Sequence, residues 1–163
     1  MLLRFSALST TLSTTLSTAV VSTSLAVVFP GVAVAQSDAP LHVDVSKVAS
    51  GDGQICIALF ASPVGFPSDS AKAFRSLCHL ATDAQDGALR FSLYDLPAGR
   101  YAASVFHDEN ADGKMNTGLF GIPKESFGFS GNPVIRIGAP KFEACRMTHG
   151  KATTVTAVAL KAF

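Results

Sequence analysis

Period-two alternation of apolar and polar residues, cut at short intervals by glycine and proline, constrains this chain more than any other feature. Leu41, Val43 and Val45 alternate with His42, Asp44 and Ser46; Leu89, Phe91 and Leu93 alternate with Arg90, Ser92 and Tyr94; Tyr101, Ala103 and Val105 take up the pattern again. Each run has the signature of a half-buried strand. Between the last two lies Asp95-Leu96-Pro97-Ala98-Gly99, where Pro97 presets φ for a turn and Gly99 closes it, so this stretch is read as a hairpin. Gln54 to Phe60 is apolar on both alternating faces, as a central strand is. Val134–Ile137, Phe142–Met147 and Thr153–Leu160 are further expected strands. Ser68, Asp69 and Ser70 offer N-caps to one short helix with Ala71, Phe74, Leu77 and Cys78 on a shared face. About seven strands, one short helix and no βαβ spacing predict an all-β chain, a single antiparallel Ig-like β-sandwich.

An outer-membrane barrel is the rival all-β architecture, and it needs strands of about 9 to 11 residues, longer than most of these segments. The start of the chain bears on compartment. Met1-Leu2-Leu3-Arg4 has one positive charge, a Ser/Thr/Leu tract follows, and the apolar run Ser24–Ala35 ends in Ala33-Val34-Ala35. These are the parts of a secretory signal peptide over residues 1–35, with cleavage before Gln36 and a β-sandwich domain over 36–163. The product is expected to be periplasmic or secreted. After cleavage no uninterrupted apolar stretch is long enough for a transmembrane segment. Removing Arg4 takes the 13 basic residues of the 163-residue chain to the same number as its 12 acids. That balance carries no electrostatic footprint for nucleic acid and no polybasic membrane patch.

Export matters for Cys56, Cys78 and Cys145, because disulfides persist in oxidising compartments. Three pairings are open, alongside three reduced thiols. Cys56 with Cys78 is the nearest pair.

The richest chemistry lies in His107-Asp108-Glu109-Asn110-Ala111-Asp112-Gly113-Lys114-Met115-Asn116-Thr117. Counting Asp108 as the first position puts Asp at 1, Asn110 at 3, Asp112 at 5, Gly at 6, the Lys114 carbonyl at 7 and Asn116 at 9, which is the front half of a calcium loop. Hard Ca²⁺ takes six to eight oxygens, and alternate residues of a tight turn aim theirs at one centre. Position 12 is Leu119 where a bidentate Glu belongs, so Glu109, Thr117 or Glu125 would have to complete the shell, in the weak regime of about 10⁻⁴ to 10⁻³ M. The competing reading is an Asx-rich turn whose side chains bond their own backbone.

Tyr101 to Asn110, Gly113-Lys114, Gly121-Ile122-Pro123-Lys124-Glu125, Gly128-Phe129-Ser130 and Pro140-x-Phe142-Glu143 occur in a fixed order, and with them residues 41–160 resemble the exported bacterial proteins called "domain of unknown function 2141". The resemblance implies a transthyretin-like or carboxypeptidase-regulatory-like β-sandwich with no established activity. More loosely, the Leu-Pro-x-Gly-x-Tyr stretch and its Asp/Asn/Gly loop are similar to calcium-binding B-type repeats of bacterial surface proteins. Relatives usually show Asp where this chain has Asn116, and often carry a second cysteine on the strand before the Pro-Gly turn, where Ala88 to Tyr94 has none.

His107, Asp108, Glu109, Lys124, Glu125 and Ser130 are candidates to gather at one end of the sandwich. An envelope hydrolase using His107, Glu109 and Ser130 is the alternative this raises. Ser130 in Gly-Phe-Ser-Gly lacks the strand-and-helix context of an exposed nucleophile, and His107 has no second His at metal-ligand spacing. Individually these residues are expected to order the loop. Together with the apolar Gly/Phe-rich segment after Gly118 they are read as a recognition surface for an unknown envelope protein or small ligand, with Ca²⁺ as the one candidate cofactor. The expectation is a non-catalytic exported domain.

Overall fold

A computed structural model describes residues 36–37, 39–136 and 138–162. The signal peptide expected over 1–35 lies outside them, as does Ile137. The strands are β1 (Gln36–Ser37), β2 (Leu41–Ser46), β3 (Gln54–Phe60), β4 (Arg75–Leu80), β5 (Ala88–Leu93), β6 (Leu96–Pro97), β7 (Gly99–Asp108), β8 (Phe127–Phe129), β9 (Met147–His149) and β10 (Thr154–Ala159); a single helical turn, α1, spans Phe142–Cys145. Two main sheets form a β-sandwich. One has the order β10-β2-β5, with β10 parallel to β2 and β5 antiparallel to it. The other runs β4-β3-β7, and the far edge of the long β7 is shared by β8, against Ser104–Phe106, and β9, against Gly99–Tyr101. The short β1 and β6 pair separately.

The alternation explains the core. Leu41, Val43, Val45, Phe91 and Leu93 of the first sheet meet Ile55, Ile57, Leu59, Tyr101, Ala103 and Val105 of the second, all buried. The opposite face of the second sheet is covered at one end by another cluster of Phe60, Ala102, Phe129, Phe142 and Cys145. Burial on both sides is why β3 is apolar in both its registers.

Four expectations are corrected. The Pro97-Gly99 turn does not make a hairpin. Instead β5 pairs with β2 and β7 with β3, so the turn carries the chain from one sheet to the other, tied by the Tyr101 hydroxyl donating to the Pro97 carbonyl at 2.8 Å. The helix expected after Ser68 is a short turn over Ser70–Lys72 followed by β4. A strand separates Leu77 and Cys78, which a helix would hold on one face: Leu77 sits opposite Ile57 and packs on the core, and Cys78 sits opposite Cys56. A lone short helix is marginal, whereas the strand gains a ladder and a crosslink. Val134–Ile137 is not a strand in its described part, because Pro133 has no N–H and the Asn132 side chain occupies the β10 edge, donating to the Ala157 carbonyl and accepting from Ala159 N–H. Phe142–Met147 divides into α1 and the start of β9, since i and i+3 spacing in one helical turn buries both Phe142 and Cys145.

Cys56 and Cys78 are joined by a disulfide across directly paired positions, with Cα atoms 4.1 Å apart. Cys145 is free and buried, and burial pushes its thiol up to about 11.

Candidate functional site

β7 ends at Asp108, and the chain returns as β8 at Phe127 after the long connection 109–126. The ladder between them continues past β8 through His107 N–H donating to the Ser126 carbonyl at 2.8 Å. Glu125, next before Ser126, stands in a bend just outside that ladder. Both acids are buried, and among the described residues neither forms an ion pair with Lys or Arg. A buried carboxylate needs donors or a cation.

Asp108 finds donors. Its Oδ1 accepts from Asp112 N–H at 3.1 Å, and its Oδ2 from Gly113 N–H and Gln54 Nε2, each at 2.8 Å. The turn is tightened by Asp112, whose carboxylate accepts from Asn110 Nδ2 at 3.0 Å and Lys114 N–H at 2.9 Å. The Asn110 bond first, and then the Lys114 amide, hold the Asp112 carboxyl below the usual carboxylate range, with a smaller contribution from Asn116. Asp108, Asn110 and Asp112 are thus bonded into one turn, which Asn116 joins through Asp112 and Lys114 through its N–H.

A second piece follows. Glu125 Oε2 accepts from Asn116 N–H at 2.8 Å, Lys124 N–H donates to the Asn116 carbonyl at 2.8 Å, and Gly118 N–H to the Ile122 carbonyl at 2.7 Å. Residues 116–124 therefore form a narrow finger, bridged at Thr117 and Pro123, with Leu119-Phe120-Gly121 at its tip. Of the three acids or hydroxyls considered for closing the loop, Glu125 is the one that reaches it. Glu109 is half exposed with its Oε1 4.0 Å from His107 Nδ1.

His107 and Ser130 are placed apart. His107 is buried, and its Nε2 donates to the Asp52 carbonyl at 2.8 Å, so the ring ties β7 to the chain before β3 while Nδ1 has no hydrogen-bond partner. Ser130 is level with Ala103: its N–H donates to the Ala103 carbonyl at 3.0 Å, its Oγ accepts from Ala103 N–H at 2.9 Å, and its hydroxyl donates to the Cys145 carbonyl. Four residues of strand, about 13 Å, separate that level from His107. Lys124 is exposed at the foot of the finger.

Sequence reasoning missed Gly53 and Gln54. Gly53 has φ +65°, and a Cβ there would overlap the Asp108 carbonyl oxygen and stand 2.7 Å from that of Glu109. The signal was present in Gly51-Asp52-Gly53, which reads only as punctuation until β7 is known to pass over it. Among the described residues no three His, Cys, Asp or Glu side chains converge as a metal cluster. The front of this loop offers two carboxylates, two amide oxygens and a carbonyl instead, a donor set of the hard-cation type.

A family model described as an uncharacterized protein conserved in bacteria, DUF2141, matches residues 43–157. The chain belongs to the DUF2141 family. Comparison with curated proteins and with solved structures found no match. The region matched in this DUF2141 chain contains β3 to β8, the turn at Asp108 and the finger. Among the described residues no helix is long and apolar enough to cross a membrane.

Proposed function

We propose that this DUF2141 protein is an exported, non-catalytic binding domain that works through the rim at the end of β7, where Asp108, Asn110, Asp112, the Lys114 carbonyl, Asn116 and Glu125 hold a calcium ion weakly. The observation that carries this reading is that two buried carboxylates, Asp108 and Glu125, are both hydrogen-bonded to the backbone of one loop, with no basic partner among the described residues. A divalent cation balances their buried charge, and Glu125 supplies the anionic oxygen that Leu119 at the twelfth loop position does not. The acids, amide oxygens and carbonyl suit Ca²⁺ better than a softer metal. A non-catalytic role is supported by Ser130, whose hydroxyl is buried and engaged with backbone groups well away from His107.

Calorimetric titration with calcium tests the reading. Wild type is expected to bind in the range of about 10⁻⁴ to 10⁻³ M. At ten times its dissociation constant, calcium would then stabilise the fold by about 1.4 kcal/mol. Glu125→Gln and Asp112→Ala are expected to abolish the heat. No heat and no thermal shift at millimolar calcium would leave an Asx-rich turn and nothing more.

A further inference from the structure

The tip of the finger is more apolar and more exposed than its chemistry justifies in water. Phe120 is 98% exposed, Leu119 83% and Ile122 52%, next to one another at the end of a narrow ladder. Phe120 also has φ +63°, a conformation that bulky side chains avoid, so the turn displays its ring at a conformational cost. A Cβ at neighbouring Gly121 would meet nothing within 4 Å, which places the tip in open space. From Lys114 to Lys124 the only charges are the two lysines at the ends, with no acid between them. The Lys124 stem lies along the finger, its Cε 3.4 Å from where a Cβ of Gly118 would be.

We propose that this tip inserts into the interfacial layer of an anionic lipid bilayer, with Leu119, Phe120 and Ile122 among the acyl chains and Lys114 and Lys124 at the headgroups. The three side chains present roughly 400–500 Å² of apolar surface, short of the ~800 Å² per partner of a stable protein interface. A convex tip of that size is enough for a shallow lipid anchor, and a pair of flanking lysines is the complement of a negative headgroup layer. Of the acids around the finger, Asp108, Glu109 and Asp112 precede Lys114, and Glu125, which follows Lys124, is buried with its Oε2 on Asn116 N–H. The inference rests on the rim being the binding end and is independent of calcium.

The chain contains no tryptophan, so Phe120→Trp in the full chain installs a single reporter. Vesicles of phosphatidylcholine with phosphatidylglycerol are added in EDTA and, separately, in calcium. The expected result is a blue shift in both, with quenching by brominated acyl chains. Tyr94→Trp, at the opposite end of the sandwich and 54% exposed, should show neither and so controls for attachment through any other segment. Lys114→Gln and Lys124→Gln in the reporter background should each raise the lipid concentration for half-maximal shift about fivefold. Leu119→Trp reports the same insertion if a larger ring disturbs position 120. Absence of shift and quenching for both reporters overturns the proposal. So does a shift that follows protein concentration without lipid, which would assign the tip to a second copy of the chain. Shift in EDTA with no calcium heat would retire the calcium reading and leave the lipid one standing.

Discussion

Replacing Asp108 by Asn changes one charge and almost no volume, and it isolates what the carboxylate does for the rim. Two oxygens accept three bonds, from Asp112 N–H, Gly113 N–H and Gln54 Nε2. An amide has one acceptor. Its best orientation keeps that oxygen on Gly113 and Gln54 and turns the NH₂ toward Asp112 N–H, donor against donor. One bond is lost at about 1–2 kcal/mol, and two fall from charge-assisted to neutral at about 1 kcal/mol each, giving roughly 3 kcal/mol. Removing a buried charge returns part of this, so the expected net loss is about 2 kcal/mol. With a urea m-value of about 2 kcal/mol/M, the midpoint should fall by about 1 M at constant m. Native-state hydrogen exchange supplies the local readout: protection of the Asp112 and Gly113 amides should drop while the β3–β7 ladder holds. An unchanged midpoint with unchanged protection would refute the stapling role. A rise in stability would show that the cost of burying the charge outweighs the hydrogen bonds, and would refute it too.

Ser130→Ala should cost about 2–4 kcal/mol, measured by thermal or urea unfolding, because it leaves the Ala103 N–H and the Cys145 carbonyl without their buried partner. Reducing the Cys56–Cys78 bond, which closes a separation of 22 residues, should lower stability by about 3 kcal/mol in the chain-entropy model, read as a drop in Tm of about 10 °C. The same sample should show Cys145 alkylated only on unfolding, since its thiol is buried and pushed up to about 11. His149 is held below its ordinary value of 6.5 by burial, so the unfolded chain binds the extra proton first. Its contribution is therefore present above about pH 6.5 and lost as pH falls toward the lower folded value, and His149→Gln should flatten that part of the stability–pH curve.

Much of the architecture follows from local pattern. Leu41, Val43 and Val45, Phe91 and Leu93, and Tyr101, Ala103 and Val105 are buried because a pleat sends alternate side chains to one face, and no other fold need be known to see it. The turn at Asp108 is equally local: Asx side chains bond backbone two to five residues ahead, so Asp108, Asn110 and Asp112 announce it. The 70–80 segment departs from the expected helix because Leu77 and Cys78 fit a short helical face as well as a strand, and only pairing with β3 separates the two periods. The Pro97-Gly99 turn departs from the expected hairpin for a related reason, since a turn reverses the chain but does not say which sheet receives the next strand.

Local sequence was therefore enough for the strongly alternating strands and for the Asx turn, whose partners are near in the chain, and not for the short segments that fit two periods. It took the tertiary fold to bring β7 over Gly53, to set Glu125 on the Asn116 amide, to spend Ser130 on Ala103 and Cys145, and to leave Phe120 in the open. Those depend on register between segments far apart in sequence, which one chain's local energetics do not encode and which sheet pairing and core burial settle together.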